Sequence, residues 1–102
     1  MTDSQIAKYQ FFEQELEELT SELSEPNAFN DPKISEKNRR LSELTEITTC
    51  YKNIQKTERE LEDAENIISG KDSEMISLAK EEKQELLARK EVLEANLRRL
   101  LA

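Results

Sequence analysis

A chain of 102 residues, 35% hydrophobic and 37% charged, is one small domain at most, and any core it builds is thin. It has no His, one Cys and one Gly, which removes the commonest general base, a zinc site and a phosphate-cradling glycine loop. The net charge of −8 sits almost wholly in residues 1–31, where eight acids face Lys8 alone, while residues 32–102 carry fifteen acids and fourteen bases; without a basic stripe to neutralise phosphates, direct nucleic-acid binding is not expected, whereas a basic protein partner fits.

Two breaks divide the chain into three segments: Ser24 to Pro32, with two prolines, and Ser69-Gly70-Lys71-Asp72. The first segment, about residues 3–23, repeats Ile6, Tyr9, Phe12, Leu16, Leu19 and Leu23 at three- and four-residue spacing, which is one face of a helix. Thr2 and Gln5 have the spacing of a capping box. The opposite face holds Glu13, Glu17, Glu18, Glu22 and Glu25. Phe11 borders the stripe and is expected to widen the core face, and Phe29 of the linker to cover one end of the core.

The second segment, about residues 32–69, is expected to start with Asp31 as cap and Pro32 in the first turn. Ile34, Leu41 and Leu44 open its stripe. Ile47, Cys50, Ile54, Thr57, Leu61, Ala64 and Ile68 then alternate by three and four, a heptad seam of large and small residues. Cys50 reads as a small buried hydrophobe on that seam, and Tyr51 as a half-buried neighbour with its hydroxyl at the edge. The third segment, about residues 72–101, is capped by Asp72 and carries Met75, Leu78, Ala79, Leu86, Val92, Leu93, Leu97, Leu100 and Leu101 as its apolar face. Glu85/Arg89 and Glu94/Arg98 stand four apart with the acid first, the favourable order. Gly70 suits a left-handed position past a helix end. The short turn predicts an antiparallel hairpin of the second and third helices, with the first helix packed across it: an all-α, three-helix domain spanning residues 1–102, closed as a monomer.

No constellation here supports catalysis. The carboxylates sit at solvent positions, not in a pocket that would part their pKa values. No cofactor, metal or calcium loop is implied, and the lone Cys50 indicates a reducing compartment. No apolar run suggests a signal peptide or membrane span, so the cytoplasm is the expected location. The one surface of interest is the acidic face of the first helix: Glu13, Glu17, Glu18 and Glu22. Its plain reading is a solvated face; the functional one is an electrostatic surface that speeds encounter with a basic partner.

The stretch Leu41-Ser-Glu-Leu-Thr-Glu-Ile47, then Tyr51, Ile54, Glu60, Ala64 and Ile68, followed by Asp72-Ser-Glu-Met-Ile-Ser-Leu-Ala-Lys-Glu-Glu82, resembles the N-terminal region of bacterial class I peptide chain release factors, type 1 branch. That family shows an Asp-x-Glu-Met-x-x-x-Ala-x-x-Glu segment, met here by Asp72, Glu74, Met75, Ala79 and Glu82; Ser73 stands where the family often has Pro. The resemblance is good from about residue 31 to 102 and only a matter of pattern before that. Type 2 factors share the helical domain, but their turn region is less similar.

The resemblance implies a domain of a factor that directs termination at UAA and UAG. That domain reaches toward the stalk base of the large ribosomal subunit and the class II release factor, a GTPase. The family's Gly-Gly-Gln loop and codon-reading tripeptide are not in these residues, so the domain is expected neither to hydrolyse nor to read codons. Two other readings share the heptad seam: a coiled-coil adaptor or oligomerisation module, and the helical arm of a tRNA ligase, which should be more basic.

Overall fold

A computed structural model describes all of residues 1–102. Helix α1, Asp3–Leu23, opens with the expected capping box: the Gln5 amide donates to Thr2 Oγ1 at 3.1 Å and the Thr2 amide to Gln5 Oε1 at 2.8 Å. Two of its otherwise unpaired first-turn amides are thereby satisfied. Tyr9 and Leu19 are buried on its inner face, with Phe12 and Leu16 partly covered. The linker forms a single 3-10 turn, Ala28–Asn30.

Helix α2, Ile34–Ile68, is 35 residues long, about 50 Å at 1.5 Å per residue. It begins two residues later than the capping pattern suggested. Asp31 spends its side chain on a local turn, accepting from the Lys33 amide at 2.8 Å while its carbonyl takes the Ile34 amide. Lys33 then holds the cap position without a side-chain cap. The heptad seam is buried at Ile47, Cys50, Ile54, Thr57 and Ala64 and partly covered at Leu61 and Ile68. The buried hydroxyls of Thr48 and Thr57 donate to the carbonyls four residues back, Leu44 and Asn53, both at 2.8 Å, which removes the cost of burying them.

Helix α3, Ser73–Leu101, starts at Asp72, whose Oδ1 accepts from the Glu74 and Met75 amides. It runs antiparallel to α2, as ion pairs Glu65–Lys83, Glu58–Lys90 and Glu60–Arg89 establish along the hairpin. Gly70 is not left-handed, since no residue of the chain has positive φ. The turn closes instead through the Gly70 amide donating to the Ile67 carbonyl at 2.9 Å. A Cβ on Gly70 would come within 3.1 Å of that carbonyl oxygen, so the position is tight rather than strained.

The molecule is a rod of 63 × 24 × 22 Å. Helix α1 lies antiparallel along α2 only, with its backbone clear of α3. Its side chains still reach the core: Tyr9 joins Ile47, Cys50, Tyr51, Ile54 and Leu97 in one buried cluster, flanked by Met1, Phe12, Leu93 and Leu100. Tyr51 is the centre of that cluster and not an edge residue. It is 1% exposed, stacked on Tyr9 with ring centroids 5.2 Å apart and 13° between planes, and touches Phe12 at 6.3 Å. Helix α1 covers this side of α2, which is why a residue next to the heptad seam is buried as completely as the seam itself.

Six expected core residues lie outside, Leu101 at the chain's end among them. Phe11 is 66% exposed, Phe29 74% and Val92 69%. Phe11 and Val92 fall on helix flanks that no other element covers, because α1 packs on a single helix. Leu78 and Met75 are also exposed, because α1 stops short of the hairpin's turn end.

Candidate docking surface

The acids of α1 are sorted by the helix into different environments. Successive residues turn by about 100°, so Glu13 and Glu17 form one column and Glu18 and Glu22 another. Glu17 and Glu18 are exposed; Glu13 is half-covered and sits beside Tyr9, whose phenol is pushed up first by burial and then by the Glu13 carboxylate. Glu18 accepts from the Gln14 side-chain amide at 3.3 Å. Glu22 is not free: Lys37 of α2 is held between Glu22 and Asp31. The four acids named from sequence therefore share a helix but not a single task, and Glu17 and Glu18 make no ion pair within the domain.

Sequence reasoning passed over Glu15, which makes the firmest contact on this side. Its two carboxylate oxygens accept from Arg40 Nε at 2.6 Å and Nη2 at 2.8 Å. The bidentate fork is geometrically selective; the Arg40 hydrogen bonds lower the Glu15 pKa and raise that of the guanidinium. Spacing rules within one helix cannot find such a pair, because the partners are 25 positions apart. The same limit explains why neither Glu85/Arg89 nor Glu94/Arg98 forms an ion pair, Arg89 reaching across to Glu60 instead.

Together these contacts stitch the second half of α1 to the start of α2. Between them runs an open groove of about 310 Å³ lined by Glu15, Glu18, Leu19, Glu22, Lys33, Glu36, Lys37 and Arg40. One apolar residue among eight makes it a poor pocket for a drug-like ligand, whose sites are mostly apolar. At the other end, the amino group of Met1 donates to both oxygens of Glu58 at 2.7 and 2.8 Å, and Lys90 approaches the same carboxylate. Burial raises the Glu58 pKa, but the two cations outweigh it and leave it lowered.

Cys50 is a free, buried thiol whose Sγ–H donates to the Leu93 carbonyl at 3.3 Å. Burial pushes its pKa up, the opposite of what an attacking thiolate needs. No three Cys, Asp or Glu side chains gather into a metal-binding group, and no helix is long and apolar enough to cross a membrane.

A hairpin with one extra helix laid along it, its ionisable groups tied up in ion pairs or spread over the outside, defines a helical domain whose useful features are on its surface. The chain belongs to the PCRF domain family, whose model matches residues 12–102. It is 39% identical over 94% of its length to peptide chain release factor 1 of Alkaliphilus oremlandii, and 36% identical over 94% to the protein of that name in Thermus thermophilus. The protein of the same name in Brevibacillus brevis is 36% identical over 87% of the chain. The chain spans only about a quarter of those relatives, 28%, 27% and 25% of their lengths. No solved structure is significantly similar to it.

Proposed function

We propose that this chain is the protein-docking domain of a peptide chain release factor, acting in translation termination at UAA and UAG codons and doing no chemistry itself. It is a monomer of the cytoplasm that binds neither nucleic acid nor membrane directly. Its partners are the stalk base of the large ribosomal subunit and the class II release factor GTPase, and the outward acids of α1 meet a basic surface on one of them. The observation that carries this reading is the family match along nearly the whole chain to relatives that bear the release factor name. The exposed, unpaired Glu17 and Glu18 support the electrostatic part, since complementary charge chiefly raises the rate of encounter.

The test is binding of the 102-residue chain to a purified stalk-base protein at low salt, together with its effect on GTPase-stimulated factor recycling. Wild type should bind and slow recycling, and Glu17→Lys/Glu18→Lys should lower the association rate tenfold or more. Unchanged association in the reversed variant removes the acidic face from the account. No binding and no slowing by wild type removes independent docking altogether.

A further inference from the structure

We propose that the turn end of the α2–α3 hairpin is a second docking point, one that takes a basic segment of a partner protein through an apolar anchor. The anchor is Leu78 with Met75 on α3, ringed by Glu74, Glu81 and Glu82. Helix α1 stops short of this end. Met1, just ahead of α1, lies level with Glu58, and α2 continues ten residues further, about 15 Å, with no third helix beside it. Two helices alone cannot enclose their seam. Ile67 and Ile68 are only partly covered, Met75 is 46% exposed and Leu78 62%.

On a helix surface the neighbours of a residue are those three and four positions away. For Leu78 these are Glu74, Met75, Glu81 and Glu82, so three carboxylates and a flexible thioether surround the leucine. None of the three acids forms an ion pair in the domain. The excess is wider than this ring. Residues 62–83 hold seven acids and three bases, a net of −4, which a tally of residues 32–102 conceals because basic stretches on either side cancel it. The fold itself uses only part of the Asp72–Glu82 stretch: Asp72 caps α3 and Ala79 packs in the core.

Charge complementarity selects the occupant. A cationic segment with one or two aliphatic side chains can desolvate Leu78 and Met75 while its lysines or arginines meet the ring, and methionine adapts to varied apolar shapes. RNA and anionic membranes are repelled. The site is separate from the α1 face: Arg40, which marks the level of Glu15, and Gly70 are 30 residues apart on or just past α2, about 45 Å.

The test is a titration of the isotope-labelled 102-residue chain, followed by amide chemical shifts at low salt. The probe is an 18-residue amphipathic peptide of lysine and leucine, and a lysine–serine peptide of equal charge is the control. Shifts centred on residues 74–82 are expected, with Leu78→Ser and Glu81→Lys/Glu82→Lys each weakening binding tenfold or more, and the control binding at least tenfold more weakly. Glu17→Lys/Glu18→Lys should leave the affinity within twofold, so this result and that of the α1 test fail separately. Shifts spread equally over α1 and the hairpin end, an unchanged affinity in Leu78→Ser, or equal binding of the control would each overturn the proposal. Leu78 is exposed, so its replacement leaves the core intact.

Discussion

Tyr51 joins α1 to the hairpin, and replacing it should show how much of the domain depends on that junction. Its ring is 1% exposed, stacked on Tyr9 and in contact with Phe12. Truncating a large buried aromatic to Ala costs about 3–5 kcal/mol, against a total of roughly 5–15 kcal/mol for a domain of this size. Tyr51→Ala should therefore leave the domain marginal or unfolded at 25 °C. Tyr9→Ala removes the same stack from the other side and should cost somewhat less, since a loosened α1 still leaves the hairpin. A double-mutant cycle on the pair should return a coupling of about 1 kcal/mol, the usual worth of an aromatic contact beyond area burial. Urea unfolding followed by far-UV circular dichroism measures all four corners, with the slope checked for constancy. If Tyr51→Ala cost less than about 1 kcal/mol, or the coupling were zero, α1 would not be packed as described.

Other perturbations test separate contacts. Arg40 lowers the Glu15 pKa, so the stability this pair adds is present above the ordinary carboxylate value and is lost as pH falls through the depressed one. The advantage of wild type over Glu15→Gln should thus fade in acid and stay under about 1 kcal/mol, as for other part-exposed pairs; a pH series of urea midpoints reads it. Gly70→Ala should be nearly neutral, within about 0.5 kcal/mol, because the lower entropy of the unfolded chain offsets the 3.1 Å contact to the Ile67 oxygen. A much larger loss would mean that the turn needs a left-handed glycine after all. Cys50 should resist alkylation at neutral pH until the domain opens, because burial raises its pKa; labelling as fast as in urea would place it on the surface.

The parts of the fold legible in the sequence are those set by local rules. The Thr2 capping box, the Asp72 cap, the three helices and the hairpin turn all depend on residues within a few positions of one another, and each is present. What was not legible depends on which faces meet. Phe11 and Val92 have the right character for a core, yet they face solvent because α1 lies on α2 alone. Tyr51 is buried because the missing neighbour comes from α1. The delayed start of α2 reflects competition for Asp31, whose carboxylate serves the Lys33 amide and the Lys37 ammonium rather than a helix end. Of the surface, the acids of α1 could be named from spacing, but not their partners: Glu22 is engaged by Lys37, and Glu15 with Arg40 came into view only when the helices were set side by side. The charge at the hairpin end was hidden by averaging over a long stretch.

The three apolar stripes close on one another within a single chain, leaving the outer acids of α1 and the hairpin end free for partners. Light scattering on a sizing column, over a wide range of concentrations, tests this most directly. A closed single chain gives a constant mass near 11.9 kDa. A stable dimer or larger species would mean that another copy completes the seam, and a coiled-coil oligomer would replace the docking domain described here.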